Sequence, residues 1–224
     1  MRPALLWIAL VVAPTAVLAQ AADTVNNNYY KAAGDPALAL LLKNNEEVHL
    51  HKGLRHLATR KPHELEYAVS EFHYMLWVWP NHPQALRGVF EAATLLKRPQ
   101  LVDKYAKPAI DVAPDAAPTY VIIAAHLMRN GNPKAAEPLL LKAIELDPAS
   151  INANYNLGLL YMQTKRPELA NQYAQKAYAM GHPFPGLRKQ LEAAGAWKPL
   201  PPEAAPAPAA PAVPAAAAPE PAAK

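Results

Sequence analysis

Ala109–Pro114 reads AIDVAP, and Ala143–Pro148 reads AIELDP, 34 residues further on in a chain of 224. A repeat at this distance constrains the fold more than any other feature here. Each copy holds one supersecondary unit that cannot cover its own apolar face, whereas stacked copies cover one another. Three consecutive units keep the same phase: 83–116, 117–150 and 151–184. Positions 7, 8 and 11 are Val89, Phe90 and Ala93, then Ile123, Ala124 and Leu127, then Leu157, Gly158 and Tyr161. Positions 20, 24 and 27 are Val102, Ala106 and Ala109, then Ala136, Leu140 and Ala143, then Ala170, Ala174 and Ala177.

Positions 4, 7, 8 and 11 fall on one face of a helix, and 20, 24, 27 and 28 on one face of a second. Small residues at 8 and 20 let the two backbones approach. Phe90 is the exception at position 8. Proline stands at position 17 in all three units (Pro99, Pro133, Pro167), where it opens a helix without losing a bonded N–H. Pro114 and Pro148 at position 32 stop the second helix, and His182-Pro183 does so in the last unit. With only 8 glycines against 25 prolines, the chain reads as helices punctuated by proline.

A fourth, irregular unit spans about 46–82. Gly53 takes position 8, and Ala68, Phe72, Met75 and Pro80 take 20, 24, 27 and 32. Gly53 to Ala68 is 15 residues where the other units have 12, which predicts a longer inter-helix turn around Arg60–Glu64. An extra helix should precede this unit, capped by Asp35 with Pro36 at its first position. A closing helix over 185–195 should end at Gly195.

These residues resemble the tetratricopeptide repeat family, which has Leu-Gly at 7–8, Tyr at 11, Ala at 20 and 27 and Pro at 32. Residues 151–184 match best. The resemblance implies an all-α, right-handed superhelical stack of helix-turn-helix repeats over 35–197, with flanking helices. It also implies a concave groove lined by the first helix of each pair, at positions 2, 5, 6, 9, 12 and 13. Those positions hold Leu50, His51 and Leu54; Arg87 and Glu91; Val121, Ile122, Ala125, Met128 and Arg129; and Tyr155, Asn156, Leu159 and Met162. The set is more apolar than a hydrated groove needs. It is either core of a tight superhelix, or a groove for an amphipathic helix, an apolar peptide or a lipid, with Arg87 and Arg129 at the rim. The Lys/Asn/Arg set with which some family members hold a peptide carboxylate is absent.

The ends differ from the middle. Arg2, an apolar run from Ala4 to Val12, Pro14 and the small residues up to Ala21 have the order of a secretory leader over 1–21. Residues 22–34 carry no assignment. No second apolar stretch of spanning length follows, so the mature chain is expected to be soluble, periplasmic or secreted, with no transmembrane segment. Residues 198–224 are almost all Pro and Ala, and are expected to form a disordered tail of polyproline II character: a spacer or a docking strip. This arrangement is similar to short exported tetratricopeptide proteins of Gram-negative bacteria, which implies an envelope protein or peptide as partner.

No chemistry stands out. The chain has no cysteine, which excludes disulfides, thiolate metal sites and a cysteine nucleophile. Six of eight histidines lie between His49 and His82, but none is paired at i, i+4 as a helical metal site needs. Ser70 and Ser150 are the only serines, neither in a nucleophile elbow. The net charge of +4 comes from scattered residues, against nucleic-acid binding. The reading is a non-catalytic binding protein with no metal or cofactor. In MLWVWPNHP (75–83), at least one tryptophan should be buried; an exposed one would mark a contact surface.

Overall fold

The structure is a computed structural model that describes residues 27–199. The expected leader and nearly all of the expected tail lie outside the described residues. Ten α-helices follow one another: α1 Pro36–Asn45, α2 His51–Ala58, α3 Pro62–Val78, α4 Pro83–Leu95, α5 Gln100–Val112, α6 Ala117–Arg129, α7 Pro133–Leu146, α8 Ile151–Gln163, α9 Pro167–Ala179 and α10 Gly186–Ala193. A π-helical turn, Glu46–Leu50, joins α1 to α2. Helices α4 to α9 coincide with the three sequence units, two to a unit, and successive pairs pack into one stack.

The period is visible in the backbone. Lys97, Gly131 and Lys165 have φ of 57°, 78° and 59°, and Arg60 has 56°. Each precedes a proline by two residues, so every turn within a pair is closed by one left-handed residue and restarted by proline. The next amide closes back over the first helix: Arg98 N–H to Ala93 O at 2.8 Å, Asn132 to Leu127 at 2.9 Å, Arg166 to Tyr161 at 2.8 Å. Between pairs, Tyr120 Oη–H donates to Pro114 O (2.8 Å) and Asn154 Nδ2–H to Pro148 O (3.2 Å), equivalent bonds one unit apart.

The irregular unit differs from the sequence expectation. Its turn is Thr59–Lys61, no longer than the others, and the extra residues lie inside α3, which has 17 residues where α4 has 13. Pro62 opens α3 as Pro133 opens α7. The insertion is nearly one helical turn, which lengthens the helix and keeps its apolar face aligned.

Small residues set the close approaches. Phe72 is fully buried between Gly53 and Gly88, where an added Cβ would come within 2.7 and 2.4 Å of its ring. Leu187 of α10 presses on Gly158 in the same way, at 2.6 Å. Phe90, in place of a small residue, holds α4 and α5 further apart than the helices of the α6/α7 and α8/α9 pairs. Two apolar clusters result. One runs from Ala32 to Ala109 with Ile122 and Ile123, and the other from Ala117 to Leu191. At the front, Asp35 Oδ1 accepts from Ala37 and Leu38 N–H (2.8 and 3.2 Å), capping α1 as expected. A short 3-10 turn, Tyr29–Gly34, is tied to the α3–α4 junction by Tyr29 N–H to Asn81 Oδ1 at 2.8 Å. At the back, Leu187 and Leu191 are fully buried and Gly195 (φ 66°) follows the end of α10.

Candidate binding groove

Helices α4, α6 and α8 are the first members of their pairs and lie side by side. Where they meet, an open depression of about 220 Å³ is lined by Arg87, Val121, Ile122, Ala125, Arg129 and Asn156, all named by the sequence reading, together with Pro118, Ser150 and Asn152. Its floor is apolar: Val121 and Ile122 are 8% and 4% exposed. Its rim is polar. Arg87 and Arg129 are exposed, and neither forms an ion pair within 4.0 Å among the described residues. Asn156 Nδ2–H donates to Asn152 O at 2.8 Å, which leaves its side-chain oxygen outward.

A second depression of about 280 Å³ adjoins the first through Arg129, and holds Glu91, Thr94, His126 and Asn130. Arg60 enters it from the first turn and donates to Glu91 Oε1 at 2.9 Å. Burial, then the Arg129 charge, holds the His126 imidazole below its usual pKa, so it stays neutral beside the Phe90 ring. Arg60, His126 and Ser150, the N-cap of α8, are not among the residues that the helical spacing picks out. Arg60 sits on a turn whose direction no helical period encodes.

The remaining sequence-named residues lie elsewhere. Leu50 is 1% exposed and belongs to the N-terminal core, with Leu54 packed against it, whereas His51 points to solvent. Met128 is in the C-terminal core, flanked by Leu159 and Met162. Tyr155 stacks on His182 with ring centroids 3.6 Å apart; burial raises the tyrosine pKa and lowers the histidine pKa.

Two histidines of α2 and the turn before it bond to carboxylates of α3. His49 Nδ1 lies 2.7 Å from Glu71 Oε2, and His56 bonds Glu64. His82 is an N-cap: its Nδ1 accepts from Ala85 N–H at 3.2 Å, and its Nε2–H donates to Glu46 Oε1 at 3.0 Å. Among the described residues no group of three His, Cys, Asp or Glu is placed to hold a metal. Trp79 is fully buried and Trp77 is 45% exposed. No helix among the described residues is long and apolar enough to cross a membrane.

The groove sets two guanidinium forks without ion pairs among the described residues, amides and a hydroxyl around a small apolar floor. Such a set meets a carboxylate or backbone carbonyls beside small apolar side chains. Known proteins agree with the fold. The tetratricopeptide repeat family model matches residues 117–150 and 151–180. Among solved structures, Pseudomonas aeruginosa PilF is 20% identical, with a TM-score of 0.53 over 67% of this chain and 67% of that one. A MamA protein is 18% identical, with a TM-score of 0.50 over 69% and 85%. At such identities the likeness is one of fold. No curated protein matches the chain.

Proposed function

We propose that this stack of tetratricopeptide repeats is a non-catalytic scaffold that holds a segment of another protein across α4, α6 and α8. The observation that carries the reading is the pair of unpaired guanidiniums, Arg87 and Arg129, on either side of the Val121–Ile122 floor. Charged groups left unpaired at the rim of an apolar trough serve orientation and partner choice. A peptide supplies both parts of the match, with acidic or carbonyl oxygens for the arginines and side chains for the floor. The expected leader at 1–21 extends the proposal to an exported, periplasmic scaffold of an envelope assembly or transport system. A lipid carrier is the weaker reading, because this depression and the one adjoining it are open, not an enclosed apolar cavity.

The test is site-specific photo-crosslinking in the producing cell, with the probe at Ala125 in the groove and at exposed Lys134 as control. The expected result is a protein adduct at 125 and none at 134, lost in an Arg87→Glu, Arg129→Glu variant of unchanged helicity. Equal adducts at both sites, or an adduct indifferent to the arginines, would sink the proposal. A stoichiometric lipid in the native mass spectrum would replace it with the carrier.

A further inference from the structure

On the opposite layer, α3 and α5 leave a depression of about 380 Å³ lined by Trp77 and Pro80 from one helix end and Tyr105 and Pro108 from the other, with Lys104 and Asp111 also on its wall. Trp77 is 45% exposed although large, and Tyr74 and Tyr67 continue an exposed aromatic stripe along α3. Tyr105 is fixed by its hydroxyl, 3.1 Å from His73 Nδ1. Lys104 lies at the edge, its Nζ 5.1 Å from the Tyr105 ring centroid, with no ion pair among the described residues. A rigid trough of Trp, Tyr and Pro faces suits a polyproline II strand, whose carbonyls are all free to accept and whose ordering cost is low.

We infer that this trough binds the chain's own Pro199–Lys224 segment. Pro208, Pro211 and Pro214 recur every third residue, and Pro199 and Pro202 keep the same register with Ala205 between. Three residues make one polyproline II turn, so in that conformation these prolines would share one face. The segment starts in the right layer. Lys198 O accepts from Asn171 Nδ2–H (2.8 Å) and Gln175 Nε2–H (3.2 Å) of α9, and Trp197 is held between Tyr178 and Arg188. Helices α5 and α9 are both second members of their pairs, two units apart in the stack. The ten residues from Lys198 to Pro208 span about 31 Å in polyproline II. Attachment to the chain raises the effective concentration to about the millimolar range, enough for a weak contact to be occupied.

The experiment follows the indole N–H signals of the full-length chain by NMR, with Trp77 assigned by Trp77→Phe. Replacing Pro208, Pro211 and Pro214 together by glycine is expected to shift the Trp77 signal and leave that of Trp79 in place. A synthetic 199–224 peptide added to this variant at about 1 mM should restore it. Lys104→Glu should weaken the restoration. A Trp77 signal unchanged by the proline replacement and unmoved by the peptide overturns the inference. A native signal that reverts to the variant position on dilution also overturns it, because the occupant is then the segment of a second copy.

Discussion

The left-handed residue of each within-pair turn is glycine once, at Gly131, and a long basic residue at Arg60, Lys97 and Lys165. A side chain in this region costs about 1–2 kcal/mol against a helical one, and glycine avoids the penalty at some cost in unfolded-state entropy. Lys165 is exposed and forms no ion pair among the described residues. Lys165→Gly is therefore expected to stabilise the fold by about 0.5–1 kcal/mol, and Gly131→Ala to destabilise it by about 1 kcal/mol. Urea unfolding of the two variants reads both signs; if Lys165→Gly loses stability, the turn is held by the lysine side chain and not by backbone preference. The equivalence of these turns was legible from the prolines two residues on. Which of the turn residues would reach the groove was not, since Arg60 meets Glu91 from a separate helix pair.

Helices and their order were the most legible level, because a buried stripe and a proline start leave a periodic trace. The extra turn of α3 left a misleading one: counting back from Pro80 placed the surplus in the loop, while counting on from Gly53 puts Pro62 at the usual helix start. Groove residues were legible only where a helix face is shared by three neighbours, as at Arg87, Val121 and Arg129. Leu50 and Met128 follow the same spacing and are core, because α1 and the adjoining helices cover their faces. Proline inside a helix is a further departure. Pro138 lies within α7 and is exposed, and it removes the amide that Lys134 O would accept. Pro138→Ala should stabilise α7 by about 1–3 kcal/mol, seen as a higher Tm with unchanged far-UV CD shape. A lower Tm would mean that the proline fits a bend the stack requires.

For the molecule as a whole, acid is the expected weak point. Burial is the main cause that holds His73, His82, His126 and His182 below the ordinary value of 6.5. The unfolded chain then takes up more protons than the fold as pH falls below about 6.5, so stability is lost in that direction. Glu64 is depressed by its bond to His56, and Glu137 by Arg166. Glu71 is also depressed, with Lys52 and His49 outweighing its burial. Their contribution is present above about pH 4.5 and lost as pH falls through the lowered values. Thermal melts should show a plateau above about pH 7 and a decline in two stages below it. His82→Asn keeps an acceptor for Ala85 N–H and should soften the first stage; a Tm constant from pH 7.5 to 5 would refute the assignment.

The two apolar cores divide the stack into two blocks that share α6: Ile122 and Ile123 belong to the first core, Val121 and Ala124 to the second. Arg87 rides on the first block and Asn156 on the second, with Arg129 on the shared helix. The groove thus has the build of a caliper hinged at α6. Its jaw spacing is set by how far one block tilts on the other. A segment gripping both jaws would stiffen the pivot, and its length, as much as its charge, would decide whether it is held.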